Sequence, residues 1–295
     1  MRTRAPLPAE ATWLPLVERA LGEDLGTGDV TSEAVIPADA KDQAVIEARQ
    51  TLVVCGLPVA EAVFREVDPQ LSFGAEHAEG ERVRAGQILA TLEGATRSIL
   101  AAERTALNFL GRLCGVATRT ARYVEAVAGT PARIVDTRKT LPGWRVLDKY
   151  AVAVGGGLNH RMGLFDAVLV KDNHIAAAGG VAEATRAARA GAAPHLHVQV
   201  EVESLAEAMS AAEAGADSLL LDNRTPGEIQ RIVEALDGRL PLEASGGVTL
   251  ESVRAIAETG VQRISVGALT HSVAAADVAL EMHSSREGRP GGVTT

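Results

Sequence analysis

DTRKTLPGWR (136–145), NHR (159–161) and VKDNH (170–174) gather Arg138, Lys139, Arg145, Arg161 and Lys171, with His160 and His174, into one stretch of a 295-residue chain. The chain as a whole is acidic, with 29 Lys and Arg against 38 Asp and Glu and a formal net charge of −9. A local excess of cations inside an acidic protein points to a bound anion. Guanidinium forks pair bidentately with carboxylate or phosphate, so Arg is favoured where planar anions are recognised. Arg145 and Lys149 lie in the helix-like WRVLDKYAVAV and read also as its solvated face. His160 reads either as a satisfied core histidine or, beside Arg161, as a ligand contact. His174 and His271 stay open between the same two readings.

Such residues need a scaffold, and the sequence carries a repeating one. Apolar strand-like runs recur at ARIVDTR (132–138), DAVLVKD (166–172), HLHVQVEVE (195–203), DSLLLDN (217–223), LPLEASGG (240–247) and RISVGAL (263–269). Amphipathic segments separate the later runs and carry helix-start signals: Ser204 with Glu207, Thr225-Pro226 with Glu228, and Thr249. From Lys171 onward the repeat runs in steps of about 20–30 residues, the length of a βα unit. Strands that are apolar throughout, with helical crossovers between them, imply a parallel sheet covered on the outside. Six such runs favour a β/α barrel over an open doubly wound sheet, and a count below the usual eight makes the barrel incomplete.

The preceding part has a different texture. Short β-type runs broken by glycine occur at 42–57 and 80–94, segments 57–66 and 98–110 look helical, and helix continues through 102–129 to a stop at Gly129. This reads as an α+β domain over residues 1–110 and a β/α-barrel domain over 111–271. Residues 285–295, within SSREGRPGGVTT (284–295), read as a disordered tail.

In a β/α barrel the chemistry sits at the carboxyl ends of the strands. Those ends, in order, are Arg138 and Lys139, Lys171, Glu201 and Glu203, Asp222, Glu243 and Ser245, then Ser265 and Gly267. Strand ends become polar simply by meeting solvent, but a ring that mixes cations with carboxylates fits a ligand better. SGGV (245–248) runs towards a helix near Thr249, and VGALTHS (266–272) towards another near Ser272. Consecutive backbone N–H groups at such points bind phosphate, although glycine also merely permits tight turns. Together, at the last two strands, they suggest a phosphomonoester. Glu201 and Asp222 are the metal candidates, because Mg²⁺ takes one or two carboxylates plus phosphate oxygens and water. The other reading of these two is a salt bridge to Lys171 or Arg138. The residues thus describe a phosphorylated or pyrophosphorylated compound with Mg²⁺, plus a small anionic partner, and do not name the reaction.

Composition narrows the alternatives. Aromatic residues make up 3%, which disfavours nucleic-acid recognition by stacked rings. The acidic balance disfavours non-specific binding to nucleic acid or anionic membrane. No run of about 18 apolar residues spans a membrane and no signal-peptide pattern opens the chain, so the expected address is the cytoplasm. Cys55 and Cys114 lack metal-ligand spacing and read as reduced core residues.

At these residues the sequence resembles the quinolinate phosphoribosyltransferase family, the decarboxylating enzymes of de novo NAD synthesis. The matching pieces are EDLGTGDVTS (23–32), ERTALNFLGRLCGVAT (103–118), DTRKTLPGWR, KYAVAVGGGLNHRMGLFDAVLVKDNH (149–174), VEVES (200–204), LLLDN (219–223), LEASGGV (242–248) and SVGALTHS (265–272). They span nearly the whole chain in family order. Leu141 and Trp144 depart from the pattern, standing where Thr and a smaller aliphatic are usual.

The resemblance implies a roughly seven-stranded incomplete barrel and a smaller mixed α/β sandwich domain, rejoined by a C-terminal helix at about 272–284. It implies a homodimer whose active sites are completed by the partner subunit, with Arg104 acting in trans. It further implies that Arg138, His160, Arg161 and Lys171, with Arg104, clamp the two carboxylates of quinolinate. Lys139 and Mg²⁺ on Glu201 and Asp222 would neutralise pyrophosphate, making Lys139, Lys171, Glu201 and Asp222 the catalytic set. Thr137 completes the first loop, while Ser245, Gly246 and Gly247, with Val266, Gly267, Ala268 and His271, would hold the 5-phosphate of phosphoribosyl pyrophosphate. Rival readings are a nicotinate-using salvage transferase, the molybdenum-cluster paralogue of the same fold, and a non-catalytic sensor of phosphorylated metabolites.

Overall fold

The structure is a computed structural model that describes residues 5–283. The tail assigned to 285–295 lies outside the described residues. In chain order the elements begin α1 (Leu14–Leu25), α2 (Val30–Val35), β1 (Lys41–Ala48), β2 (Leu52–Val53), α3 (Leu57–Val67), β3 (Ser72–Ala75), β4 (Arg82–Val83), β5 (Ile88–Ala95) and α4 (Thr96–Ala126). They continue with β6 (Arg133–Val135), α5 (Arg145–Val154), β7 (Val168–Val170), α6 (Asp172–Ala178), α7 (Val181–Gly191), β8 (Val198–Val202), α8 (Leu205–Glu213) and β9 (Ser218–Asp222). The last are α9 (Pro226–Leu236), β10 (Leu242–Ser245), α10 (Val253–Ala257), β11 (Arg263–Ser265), α11 (Ala268–His271) and β12 (Val278–His283). Two compact units result: Met1–Thr118 with Val146–Val154 and Val273–Thr295, and Arg119–Arg145 with Gly155–Ser272.

The first unit carries a four-stranded antiparallel sheet in the order β12-β1-β5-β3 and the short pair β2-β4. Ile46, Leu89, Phe64, Ile99, Phe109, Leu110 and Leu113 are fully buried in its core. The expected C-terminal helix at 272–284 is replaced by β12, whose Val278–His283 pair with Ala48–Gln43 of β1. The alanine-rich segment has helical propensity, but β1 pairs with β5 on one side only and leaves the other edge's N–H and C=O groups needing partners. A strand there satisfies them, and tertiary pairing overrides local preference.

The domain boundary also differs from 110/111. Residues 146–154 belong with the first unit because two buried polar contacts hold α5 there. Arg112 Nε and Nη2 donate to the fully buried Asp148 carboxylate at 2.9 and 2.8 Å, and the Tyr150 hydroxyl donates to Glu79 Oε2 at 2.7 Å. Glu79 also accepts the Gly56 and Leu57 N–H groups that open α3. Lys149, expected on a solvated face, is fully buried in α5.

The second unit is a parallel six-stranded sheet, ordered β6-β11-β10-β9-β8-β7, and it forms an incomplete β/α barrel. A single parallel bridge, Val135 to Leu158, stands where a seventh strand was expected. In a flat sheet the two edge strands would lie about 24 Å apart at the usual strand spacing of about 4.8 Å. Residues following β6 and β7 nevertheless line one cavity, so the sheet is rolled. The helix caps explain where the crossovers start. Thr225 and Glu228 form a reciprocal capping box with Pro226 at the first position of α9. Ser204 accepts the Glu207 N–H, while Glu207 reaches the N–H of Glu203 rather than of Ser204. Thr249 opens a turn with Ser252, and α10 starts one turn later than expected. α11 begins directly after Gly267, not near Ser272.

Segment 274–276 lies directly on α4 within the first unit. The Ala276 N–H donates to the Gly111 carbonyl at 2.8 Å, and a Cβ on Gly115 would collide with the backbone oxygen of Ala274. Neither backbone can swing aside, so Gly115→Ala should destabilise by about 1–3 kcal/mol. Gly22→Ala in α1 meets open space and should stabilise by about 0.5–1 kcal/mol. Urea denaturation of both variants checks the pair; equal midpoints would contradict the close approach.

Candidate active site

A cavity of about 550 Å³ occupies the carboxyl ends of the barrel strands. Alternation along each strand explains its lining. Side chains two apart face one side, and Leu169 and Lys171, Leu220 and Asp222, Glu243 and Ser245, and Ser265 and Gly267 all line it. The expected residues Thr137, Arg138, Lys139, His160, Arg161, Lys171, Glu201, Asp222, Ser245, Gly246, Gly247, Gly267, Ala268 and His271 converge here. Two do not. Val266 is buried and donates its N–H to the Val135 carbonyl at 2.9 Å, which makes it a pin between β11 and β6. Arg104 belongs to α4 of the first unit, where its side chain is 64% exposed and lies 3.9 Å from Glu103.

The cations fall into distinct settings. Arg138 Nε is buried without a hydrogen-bond partner among the described residues. Arg161 donates from Nη1 to the Ala167 carbonyl at 3.1 Å. Its acidity is raised by burial first and by the neighbouring Arg138 charge second, with Asp166 opposing. Two guanidiniums lining one cavity suit an anionic ligand. Lys171 Nζ pairs with Glu201 Oε2 at 2.9 Å, which realises the salt-bridge reading of that carboxylate. Arg145 is half-buried and does not line the cavity: it donates to Thr140 Oγ1 at 3.1 Å and to the carbonyls of Met162 and Arg138 at 3.2 and 3.4 Å. It thereby braces the loop that presents Arg138.

The histidines resolve individually. His174 Nδ1 accepts the Lys171 N–H at 2.9 Å, capping α6, and its ring lines a separate apolar groove with Val168, Val170 and Ala184. His271 lines the main cavity and bonds to the Ser272 hydroxyl. His160 Nδ1 accepts the Arg161 N–H at 2.7 Å, and its Nε2 meets Gln199 Oε1 at 2.9 Å.

In the loop after β10, Gly246 and Gly247 have φ of +94° and +58°. A Cβ on Gly246 would collide with Asn223 Oδ1, so this loop admits only glycine there. Asn223 itself has φ of +53° and donates from Nδ2 to Asp222 Oδ2 at 2.6 Å. Thr270 Oγ1 donates to the Lys139 carbonyl at 2.8 Å, tying the first loop to α11. Leu169, Leu220, Asn223, Val248 and Thr249 line the cavity without having been singled out. The period-two spacing from Lys171 and Asp222 was the available signal for the two leucines; nothing in LLLDN marked the left-handed Asn223.

Among the described residues no group of three or more His, Cys, Asp or Glu side chains could hold a metal. Glu201 and Asp222 both face the cavity, a donor pair that suits a hard cation arriving with phosphate oxygens rather than a protein-only cage.

A rolled parallel sheet whose strand ends gather arginines and a glycine loop in one cavity has the architecture of a β/α-barrel enzyme with a site suited to anions. Comparison with known proteins narrows this. The family model "Quinolinate phosphoribosyl transferase, C-terminal domain" matches residues 116–281, and "Quinolinate phosphoribosyl transferase, N-terminal domain" matches 29–114. Their junction lies near residue 115, close to the break at Thr118 but without the return of 146–154. The nicotinate-nucleotide pyrophosphorylase [carboxylating] of Mycobacterium leprae is 45% identical over 277 residues, covering 90% of this chain and 95% of that protein. Quinolinate phosphoribosyltransferase [decarboxylating] 1b of Nicotiana tabacum is 41% identical over 90% of this chain and 81% of its own length. The structure of the nicotinate-nucleotide pyrophosphorylase from Francisella tularensis superposes with a TM-score of 0.90 at 37% identity, covering 96% of this chain and all of that one. The chain belongs to the quinolinate phosphoribosyltransferase family.

Proposed function

We propose that this cavity is where quinolinate and phosphoribosyl pyrophosphate become nicotinate mononucleotide, pyrophosphate and CO₂, a step of NAD biosynthesis. The enzyme is a decarboxylating phosphoribosyltransferase; "pyrophosphorylase [carboxylating]" and "phosphoribosyltransferase [decarboxylating]" describe that one reaction from its two ends. The observation that carries the reading is the convergence of Arg138, Arg161 and Lys171 in one cavity with the Ser245–Gly247 loop. A dicarboxylate answers the first group and a phosphate the second.

In this reading Arg138, Arg161 and Lys171 hold the ring carboxylates and fix the pyridine nitrogen against the ribose carbon, a positioning contribution. Backbone N–H groups of Gly246 and Gly247, with the Ser245 hydroxyl, receive the 5-phosphate. Lys139 offsets charge on the departing pyrophosphate. Mg²⁺, held by Glu201 and Asp222 with substrate oxygens, would supply further neutralisation there. Once the nitrogen is alkylated, its positive charge stabilises the ring carbanion left by CO₂, so decarboxylation follows transfer.

The working unit in this reading is a homodimer in the cytoplasm, with Arg104 of the partner subunit completing each clamp. The exposure of Arg104 and of Leu164 and Phe165, at 72% and 75%, supports an unfilled surface. Two free, buried cysteines, Cys55 and Cys114, suit a reducing compartment.

The direct test is release of CO₂ and mononucleotide from quinolinate, phosphoribosyl pyrophosphate and Mg²⁺, with nicotinate in a parallel reaction. Stoichiometric products from quinolinate alone are expected. Product from nicotinate without CO₂ would move the chain to the salvage class. Arg138→Ala should raise the quinolinate KM or lower kcat/KM by about 100-fold, with unchanged far-UV dichroism; near-normal kinetics would remove Arg138 from the clamp. Mixing inactive Arg104→Ala and Lys171→Ala subunits should restore one site per hybrid dimer. Verified hybrids without activity would rule out sharing in trans.

A further inference from the structure

Three carboxylates line the cavity, and they are not equivalent. Glu201 pairs with Lys171, and Asp222 accepts from Asn223. Glu243 is 1% exposed on β10, and its Oε1 has no hydrogen-bond partner among the described residues. An unpaired buried carboxylate oxygen is costly, so its retention needs a reason.

Its other oxygen ends a hydrogen-bond chain whose direction is determined. The Arg161 backbone N–H can only donate, so His160 Nδ1, at 2.7 Å, carries no hydrogen. The ring is then neutral with its hydrogen on Nε2, which donates to Gln199 Oε1 at 2.9 Å. That orients the Gln199 amide nitrogen towards Glu243 Oε2, to which it donates at 3.2 Å. All three bonds run one way, and Glu243 must accept. Both ring nitrogens of His160 are therefore engaged within the protein.

Glu243 lines the same cavity as the Arg138–Arg161 and Ser245–Gly247 half-sites. It precedes Ser245 on the same face of β10, and its Oε1 is 3.6 Å from His160 Nε2, the neighbour of Arg161. Ribose carbon and ring nitrogen must meet between those half-sites. In the transfer, the C1–O bond to pyrophosphate breaks with its electron pair leaving on pyrophosphate, and the nitrogen lone pair forms the N–C1 bond. Positive charge thus passes from C1 to the ring nitrogen.

We propose that Glu243 is a further catalytic residue whose ionised carboxylate faces this positive charge, with Gln199 and His160 as its positioning residues. Glu243 forms no covalent bond in the reaction. The proposal rests on the transferase reading above.

The test uses the full chain with Glu243→Gln and Glu243→Asp, steady-state kinetics, calorimetric quinolinate binding and ¹⁵N shifts of the His160 ring. Glu243→Gln should lower kcat about 100-fold, with quinolinate affinity and both KM values held within about threefold. Glu243→Asp should keep more kcat than Glu243→Gln, and His160 should show a bare Nδ1 and a protonated Nε2. Near-normal kcat in Glu243→Gln, a loss confined to substrate binding, Asp no better than Gln, or His160 protonated on both nitrogens would each overturn the proposal. A wild-type protein that releases no CO₂ would instead bring down the transferase reading, and this proposal with it.

Discussion

Side chains two residues apart on a strand face one way, and rolling the parallel sheet turns that face into an interior. Everything at the site depends on this constraint. Register pairs Ser245 with Asp222, Glu243 with Leu220 and Glu201 with Leu220, so polar groups on neighbouring strands arrive at matching depths. Apolar residues of opposite parity, such as Val198, Val200, Leu219, Leu221 and Ile264, turn outward into buried packing beneath the helices. One strand can therefore be apolar along one side and carry Glu201 or Glu243 on the other. A slip of one residue would exchange the two sets and place carboxylates in the packing layer.

Inside such a wall, charge has to be balanced locally, because water contributes little. Lys171 balances Glu201. Arg112 balances Asp148 in the other unit by the same logic. The exceptions are informative: Arg138 and Arg161 are like charges lining one cavity, and one Glu243 oxygen has no hydrogen bond among the described residues. Sites left unbalanced in the free protein are those that a ligand or a developing charge can complete.

Much of this was legible in the sequence because the two periodicities are strong. Each of the six apolar runs contains its strand, and the cation-bearing motifs sit at strand ends where barrels place their chemistry. What failed, failed for tertiary reasons. The alanine-rich 272–284 segment has the local preference of a helix, and only the open edge of β1 makes it a strand. Lys149 lies on a helix whose amphipathic face could not be assigned without knowing what α5 packs against. His160 and His174 share a residue type with many ligands, yet neighbouring N–H groups that sequence spacing does not reveal claim one nitrogen of each. Glu243 was visible as a strand-end carboxylate. Its significance lay in which oxygen went unpaired, a property of three dimensions.

The composition of the cation wall bears on selectivity between closely related substrates. A pocket of matching shape rejects a smaller analogue weakly, because an empty volume costs little. A wall with Arg138, Arg161 and Lys171 rejects it differently: a ligand with one carboxylate leaves a guanidinium desolvated and beside a like charge. That penalty is electrostatic: burial, and then the Arg138 charge, lower the basicity of Arg161 in the free protein. In the reading proposed above, a second carboxylate would relieve it on binding and then be lost as CO₂, so that the mononucleotide would leave the like charges together again.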